Sequence, residues 1–219
     1  MAGKLSIKQP NIILCEGADE YYFFLALLTA WIEEDERFDT IQVINFGGNE
    51  DLSNFLDVFP SLPKYDDIQS ILIIRDAEGD CDAAVQSIQG TLSRNAAYGI
   101  SPALHKVAYD TRGKRIAFSL FPSCSETPQK GTLEDLALAL LTGDEAEKTL
   151  LQVEDFLSFL ERSRNKKFVR IHKNKLHTYL SVNDKFVSLK IGEAANAGAF
   201  DFSNPKLQPL KTLILEMIQ

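Results

Sequence analysis

The stretch Ile71-Leu72-Ile73-Ile74-Arg75-Asp76-Ala77-Glu78-Gly79-Asp80 decides the fold, because an apolar run of strand length empties into acidic residues at alternate positions. Ile68 to Ile74 reads as a buried strand of a parallel sheet. In an open α/β sheet, side chains just past the carboxyl end of a strand sit in the crevice where ligands bind. The two-residue period of an extended chain predicts Asp76 and Glu78 on one face, with Asp80 continuing the series into the loop. Carboxylates this close raise one another's pKa unless a cation lies among them. Oxygen-only ligands suit hard ions, so Mg2+ or Mn2+ is the expected guest. A solvated Asp/Gly-rich turn after a buried strand is the plainer reading of the same residues.

Working back toward the N-terminus, Asn11 to Cys15 is a second short apolar run, ended by Glu16-Gly17. From Ala18 the apolar residues Tyr22, Leu25, Leu28 and Trp31/Ile32 recur at helical spacing, with Asp19 and Glu20 in the first turn where the helix dipole favours acids. Ile41 to Phe46 predicts a strand closed by Gly47-Gly48, and Asn49 to Phe59 a helix stopped by Pro60. Asp80 to Ala97 fits a third helix. The alternation β-α-β-α-β-α predicts a mostly parallel sheet with helices on both faces.

Beyond it, Leu104 to Tyr109 and Arg115 to Phe121 read as two strands around the turn Asp110-Thr111-Arg112-Gly113, able to pair as a hairpin at the sheet edge. Leu133 to Leu141 is helical in pattern. From about Asp144 the chain reads as three or so helices, with breaks near Asn165, Asn183 and Pro205. The expected organisation is therefore an α/β core over 1–122 and a mostly helical extension over 123–219, packed on the core.

The 219 residues are 45% hydrophobic and 25% charged, the range of ordinary globular chains. A formal net charge of -8 argues against the whole surface binding nucleic acid or an acidic membrane, though not against a local basic patch. Cys15, Cys81 and Cys124 form no CxxC pair, which argues against a disulfide framework and a structural zinc site. No signal peptide and no apolar run of membrane-spanning length is present, so a cytoplasmic protein is expected.

Leu14-Cys15-Glu16-Gly17-Ala18-Asp19-Glu20 at the end of the first strand, and the acidic triplet at the end of the third, together resemble a Toprim domain across roughly residues 10 to 122. Toprim domains pair a strand-end Glu-Gly with a later Asp-x-Asp and use them to hold Mg2+ against nucleic-acid phosphates. Glu78 stands where Asp is usual. It keeps the charge but moves the oxygens by one methylene. The chain is most similar to the overcoming-lysogenization-defect nucleases and their small stand-alone bacterial relatives, in which a second acid follows the first by four residues, as Glu20 follows Glu16. Their later Ser/Thr-x-Glu matches Thr132-Leu133-Glu134, and their downstream Lys matches Lys173 or Lys175. No Walker motif and no topoisomerase strand-passage region accompanies these residues.

The resemblance implies a divalent-metal nuclease acting on DNA or RNA, with a defence effector among the expected roles. Glu16, Asp76 and Glu78 would hold one ion while Glu20, Asp80 and Glu134 help place a second, the two-metal logic of phosphodiester hydrolysis. Lys173 or Lys175 would neutralise the phosphate. A non-catalytic Toprim-like module for nucleic acid or protein is the alternative. Expected partners are nucleic acid, a second copy of the chain and an activating protein, with no membrane.

Plainer roles compete for several of these residues. Asp19 and Glu20 suit a helix start, as do Glu134 and Asp135 behind Thr132 as N-cap. Arg162, Arg164, Lys166, Lys167, Arg170, Lys173 and Lys175 follow one another without an acid between them. That run predicts either a phosphate-backbone track beside the acids or a solvated helix face. His105, His172 and His177 show no ligand spacing and read as structural or surface residues.

Overall fold

In the computed structural model, which describes residues 5–48 and 51–219, β1 (Asn11–Cys15), β2 (Ile41–Asn45), β3 (Ser70–Asp76), β4 (Ala108–Tyr109) and β5 (Arg115–Phe121) form one sheet. The strand order is β2-β1-β3-β5-β4. β1, β2, β3 and β5 are parallel, and only the two-residue β4 runs antiparallel, at the edge. The chain is therefore an α/β protein with a mostly parallel sheet and a helical C-terminal portion.

Alternation along the strands splits the core into two layers. Ile12, Leu14, Ile71, Ile73, Ile116 and Phe118 face one side, with residues of α2 (Leu52–Val58) and α3 (Cys81–Arg94). Ile13, Cys15, Leu72, Ile74 and Ala117 face the other, where α1 (Ala18–Ile32) packs. The same layer takes in α4 (Leu133–Ala139), α5 (Asp144–Arg164), α6 (Ile171–Ser181), α7 (Ile191–Asn196) and α8 (Gln208–Met217). Strands buried on both faces need apolar residues at every position, which is why the first and third strands read as unbroken apolar runs.

α1 is the hinge of this second layer. Fully buried Phe23 meets Phe121 of β5 edge-on, ring centroids 6.4 Å apart, so the helix is seated on the sheet. On its outer side α7 comes so close that a Cβ at Gly192 would lie 2.4 Å from Tyr22 Cβ. Only glycine permits that approach.

Several element boundaries differ from the expectation, the third helix among them, which runs Cys81–Arg94 rather than Asp80 to Ala97. β3 runs from Ser70 to Asp76 rather than from Ile68 to Ile74, because a 3-10 turn over Tyr65–Asp67 precedes it. The segment 104–107 is not strand. His105 leaves extended backbone at φ 58, its ring nitrogens bonded to Ser119 Oγ and the Pro209 carbonyl while its N–H donates to the Phe118 carbonyl of β5 at 2.9 Å. The helix expected over Asn49 to Phe59 is seen as Leu52–Val58, and residues 49 and 50 lie outside the described residues. The breaks at Asn165, a left-handed helix cap, and before α8 at Pro205 fall where the sequence places them. Among the described residues no helix is long and apolar enough to cross a membrane.

Candidate functional site

At the carboxyl edge of the sheet, alternation separates neighbours. Asp76 continues the Leu72 and Ile74 side, toward α1 and α4, whereas Arg75 continues the Ile71 and Ile73 side, toward Ser87 of α3. Asp76 Oδ1 accepts the Leu133 N–H at 2.9 Å, so the first turn of α4 is docked on the strand end. That turn is closed by a capping box in which Thr132 N–H donates to Asp135 Oδ2 at 2.9 Å. Asp135 is thereby used as a cap.

The cap turns Glu134 inward. It is buried, accepts from Thr132 Oγ1 at 2.6 Å and lies 2.8 Å from Lys173 Nζ of α6. Glu20 enters from the first turn of α1, and a Cβ on Gly17 would fall 2.5 Å from its Oε2. The glycine of the Glu16-Gly17 pair therefore leaves room for the Glu20 carboxylate. Asp76, Glu20 and Glu134 come from three distant segments and meet on one face, with Lys173 beside them.

Their charges are poorly matched. Burial, then the charges of Glu20, Glu134 and Glu16, push Asp76 up to about 8 in spite of the Leu133 N–H. Burial, joined by the charges of Asp19, Glu16 and Glu134, raises Glu20 as well. Burial also opposes ionisation of Glu134, but hydrogen bonds from Lys173 and Thr132 outweigh it and hold that carboxyl below its usual range. One ammonium thus serves three carboxylates.

Glu16 belongs to the opposite face. Its Oε2 is 3.5 Å from Nε of the buried Arg75, an ionic contact rather than a hydrogen bond, since that nitrogen has no hydrogen-bond partner. Burial and the Glu78 charge raise the Glu16 pKa even so. Glu78 does not share the face of Asp76, as expected for a continuing strand. β3 ends at Asp76, and Glu78 adopts φ 53 and exchanges backbone hydrogen bonds of 2.8 and 2.9 Å with Gly131. This pins the loop after β3 to the approach of α4 and leaves the Glu78 side chain exposed. Asp80 is the N-cap of α3, its Oδ1 accepting from Ala83 N–H at 3.0 Å, and so is not free to complete an ion site.

The oxygen-only donors of Glu20, Asp76 and Glu134 suit a hard divalent cation, and the excess buried negative charge on that face favours one. The carboxylates are gathered without being closed around a point. Among the described residues no three His, Cys, Asp or Glu side chains stand arranged to hold an ion. Glu134 is turned to Lys173, Asp76 to Leu133 and Glu16 to Arg75.

A family model described as a protein of unknown function, DUF3226, matches residues 10–219. The chain belongs to this family. No curated protein and no solved structure matches it. The DUF3226 match runs through the sheet and all the later helices, so strand-end acids and Lys173 lie inside one family unit.

In this DUF3226 chain the basic run is divided by its helices. Lys173 is at the acids, whereas Lys175, the other candidate, is paired with Glu154 of α5. Arg162, Lys166 and Lys167 cluster at the C-terminal end of α5, where Lys167 lies 2.7 Å from Glu161. Arg164 is in the last turn of α5 and exposed. Arg170 is the N-cap of α6 and lines a cavity of about 420 Å³ with Glu78, Lys130, Thr132, His172 and Lys173. Sequence reasoning missed three contributors: Arg75 behind Glu16, Lys130 before the capping box, and His172. Only Arg75, a cation inside an apolar run, carried a sequence signal.

Proposed function

We propose that this protein is a divalent-metal-dependent nuclease of Toprim type, similar to the overcoming-lysogenization-defect branch, that hydrolyses phosphodiesters of DNA or RNA. The observation that carries the reading is the meeting of Glu20, Asp76 and Glu134 on one face at the sheet's carboxyl edge, with Asp76 pushed up to about 8 by burial and by the charges of the neighbouring carboxylates. Strand ends of open α/β sheets are where ligands bind, and buried acids whose pKa is shifted by one another mark sites rather than solvated turns.

Glu20, Asp76 and Glu134 would hold Mg2+ or Mn2+, with Glu16 steadied behind them by Arg75. When bound, the ion supplies Lewis-acid activation of water and neutralises charge on the phosphate. Lys173, now on Glu134, would place its ammonium against a phosphate oxygen and stabilise charge there. The α4 N-terminus holds Asp76 in place through Leu133. Arg162, Arg164, Lys166, Lys167 and Arg170 extend the basic surface away from the acids, fit for the phosphate backbone.

A second reading is a Toprim-like module that binds nucleic acid or a protein without cutting. Lys173 and Arg75 favour it, since each already pairs with one of the acids and takes up charge a metal would otherwise balance. Cleavage assays with Mg2+ or Mn2+ separate the two. Cleavage that disappears in Asp76→Ala protein with an unchanged circular dichroism spectrum is expected. Full activity of that variant would end the nuclease reading, and salt-sensitive binding that persists in EDTA without any cleavage would establish the module.

A further inference from the structure

α5 has 21 residues, hence a length of about 31 Å at a rise of about 1.5 Å per residue, and it is buried along one side. Its buried residues are Ala146, Val153 and Leu157, spaced so that they fall on one stripe of the helix. Away from that stripe Leu151, Phe156 and Phe159 stand 62%, 50% and 58% exposed. At about 100° per residue these three lie within about 140° of one another, Phe159 between the other two. Single exposed apolar side chains are ordinary, but three large ones together on the free face of a helix mark a contact surface.

Charge decides what covers that face. The first turn of α5 carries Asp144, Glu145 and Glu147 and the last carries Arg162 and Arg164, so the helix is acidic at one end and basic at the other. An antiparallel copy of the same helix sets each acidic end against a basic one, whereas a parallel copy stacks like charges. Glu145 and Arg162 are exposed, and among the described residues neither forms an ion pair. Other occupants fit less well. A nucleic-acid strand or an anionic membrane laid along the face would meet Asp144, Glu145 and Asp155.

We infer that two copies of this chain pair through antiparallel α5 helices about a two-fold axis. With Leu151 of one copy set against Phe156 of the other, Arg162 comes opposite Glu145 and Phe159 opposite Lys148. Asp155 then faces Gln152, one turn from Lys148. The pairing is isologous, so each of these contacts occurs twice. Apolar side chains make the middle of the contact and charged pairs close its two ends, the usual division of a protein interface. The pairing uses Arg162, leaves Arg164, Lys166, Lys167 and Arg170 for the phosphate backbone, and holds whether or not the protein cuts.

The test is the mass of the metal-free protein by sedimentation equilibrium over a range of concentrations, with no nucleic acid present. A species of twice the 24.5 kDa chain that dissociates on dilution is expected. Leu151→Asp and Phe159→Asp should each raise the dissociation constant by about tenfold or more, as loss of a central interface residue does. Both residues are exposed, so the variants are expected to keep the native circular dichroism spectrum. Glu145→Arg and Arg162→Glu should each weaken the dimer, and the two together should restore it to within a few-fold of native.

A monomer at every concentration would overturn the inference, as would a dimer indifferent to Leu151→Asp and Phe159→Asp. A dimer that these substitutions break but the charge swap does not repair would overturn the antiparallel arrangement. A monomer whose binding of a single-stranded oligonucleotide is lost in Phe159→Asp would overturn it too, and assign the face to nucleic acid. Loss of cleavage in Asp76→Ala, by contrast, bears on the nuclease reading alone.

Discussion

The backbone N–H of Leu133 donates to Asp76 Oδ1 at 2.9 Å, joining residues 57 positions apart in the chain. Through that bond the first turn of α4 is fixed on the end of β3, and Glu134 is carried to within electrostatic reach of Asp76. The site is therefore assembled by tertiary docking of a helix start on a strand end, not by one motif.

Burial of Asp76, reinforced by the acids around it, makes folding stability fall as pH rises. Asp76 moves from an ordinary 3.8 to about 8 on folding, so between those values the folded protein keeps a proton that the unfolded chain has released. Stability then declines across that window and the loss is complete above about 8. Asp76→Asn keeps an oxygen for Leu133 and removes the charge. In EDTA at pH 8 its melting temperature should exceed the native one by more than about 2–4 °C, the worth of 1 kcal/mol in a chain this long. Parallel melting curves for both proteins from pH 5 to 9 would refute the assignment of strain to Asp76.

Lys173 and Lys175 are two residues apart on α6, hence roughly 200° apart around the helix, and only one can face the acids. Lys173→Met is expected to lower cleavage by about 10²–10³-fold, the usual effect of losing one transition-state charge partner. Lys175→Met should stay within a few-fold of native, because its pair with Glu154 lies elsewhere and such partly exposed bridges contribute about 1 kcal/mol or less. Equal losses for the two would place the site wrongly.

Glu20 and Glu78 offer a contrast in ion binding. Glu20 shares the Asp76 face, whereas Glu78 is exposed on a left-handed turn held by its backbone. Glu20→Gln should weaken Mn2+ affinity by about tenfold or more, an effect of about 1.4 kcal/mol, while Glu78→Gln changes it little. The opposite ranking, measured by calorimetry, would restore the paired Asp76–Glu78 site that the sequence suggests.

Gly192 tests the packing beneath the site. A methyl there would lie 2.4 Å from Tyr22 Cβ and 3.1 Å from the Asp19 carbonyl, forcing α7 off α1. Gly192→Ala should cost about 1–3 kcal/mol in denaturant unfolding with an unchanged slope. An unaltered midpoint would mean that the two helices have room to separate.

The β-α alternation and both acidic motifs were legible because buried parallel strands and helix starts leave local patterns. Glu16 and Glu20 pair only through the family resemblance, and Glu16 stands on the other face, beside Arg75. What decided the site was not local. The left-handed turn at Glu78 depends on its bridge to Gly131, and no residue type near it announces that turn. Asp80 reads equally as ligand or cap until Ala83 N–H is seen to point at it. β4 is only two residues long, and the left-handed backbone at His105 that precedes it is announced by no residue type nearby. His172 was passed over because histidine spacing along the chain carries no information about an atom buried without a partner.

The most direct measurement is calorimetric titration of the metal-free protein with Mg2+ and Mn2+, using Asp76→Ala as control. Saturable binding that the substitution abolishes is the predicted result. It would put the ion where Glu20, Asp76 and Glu134 meet. Binding that survives in Asp76→Ala, or no binding at millimolar ion even with an oligonucleotide present, would contradict a metal-dependent site at the end of β3.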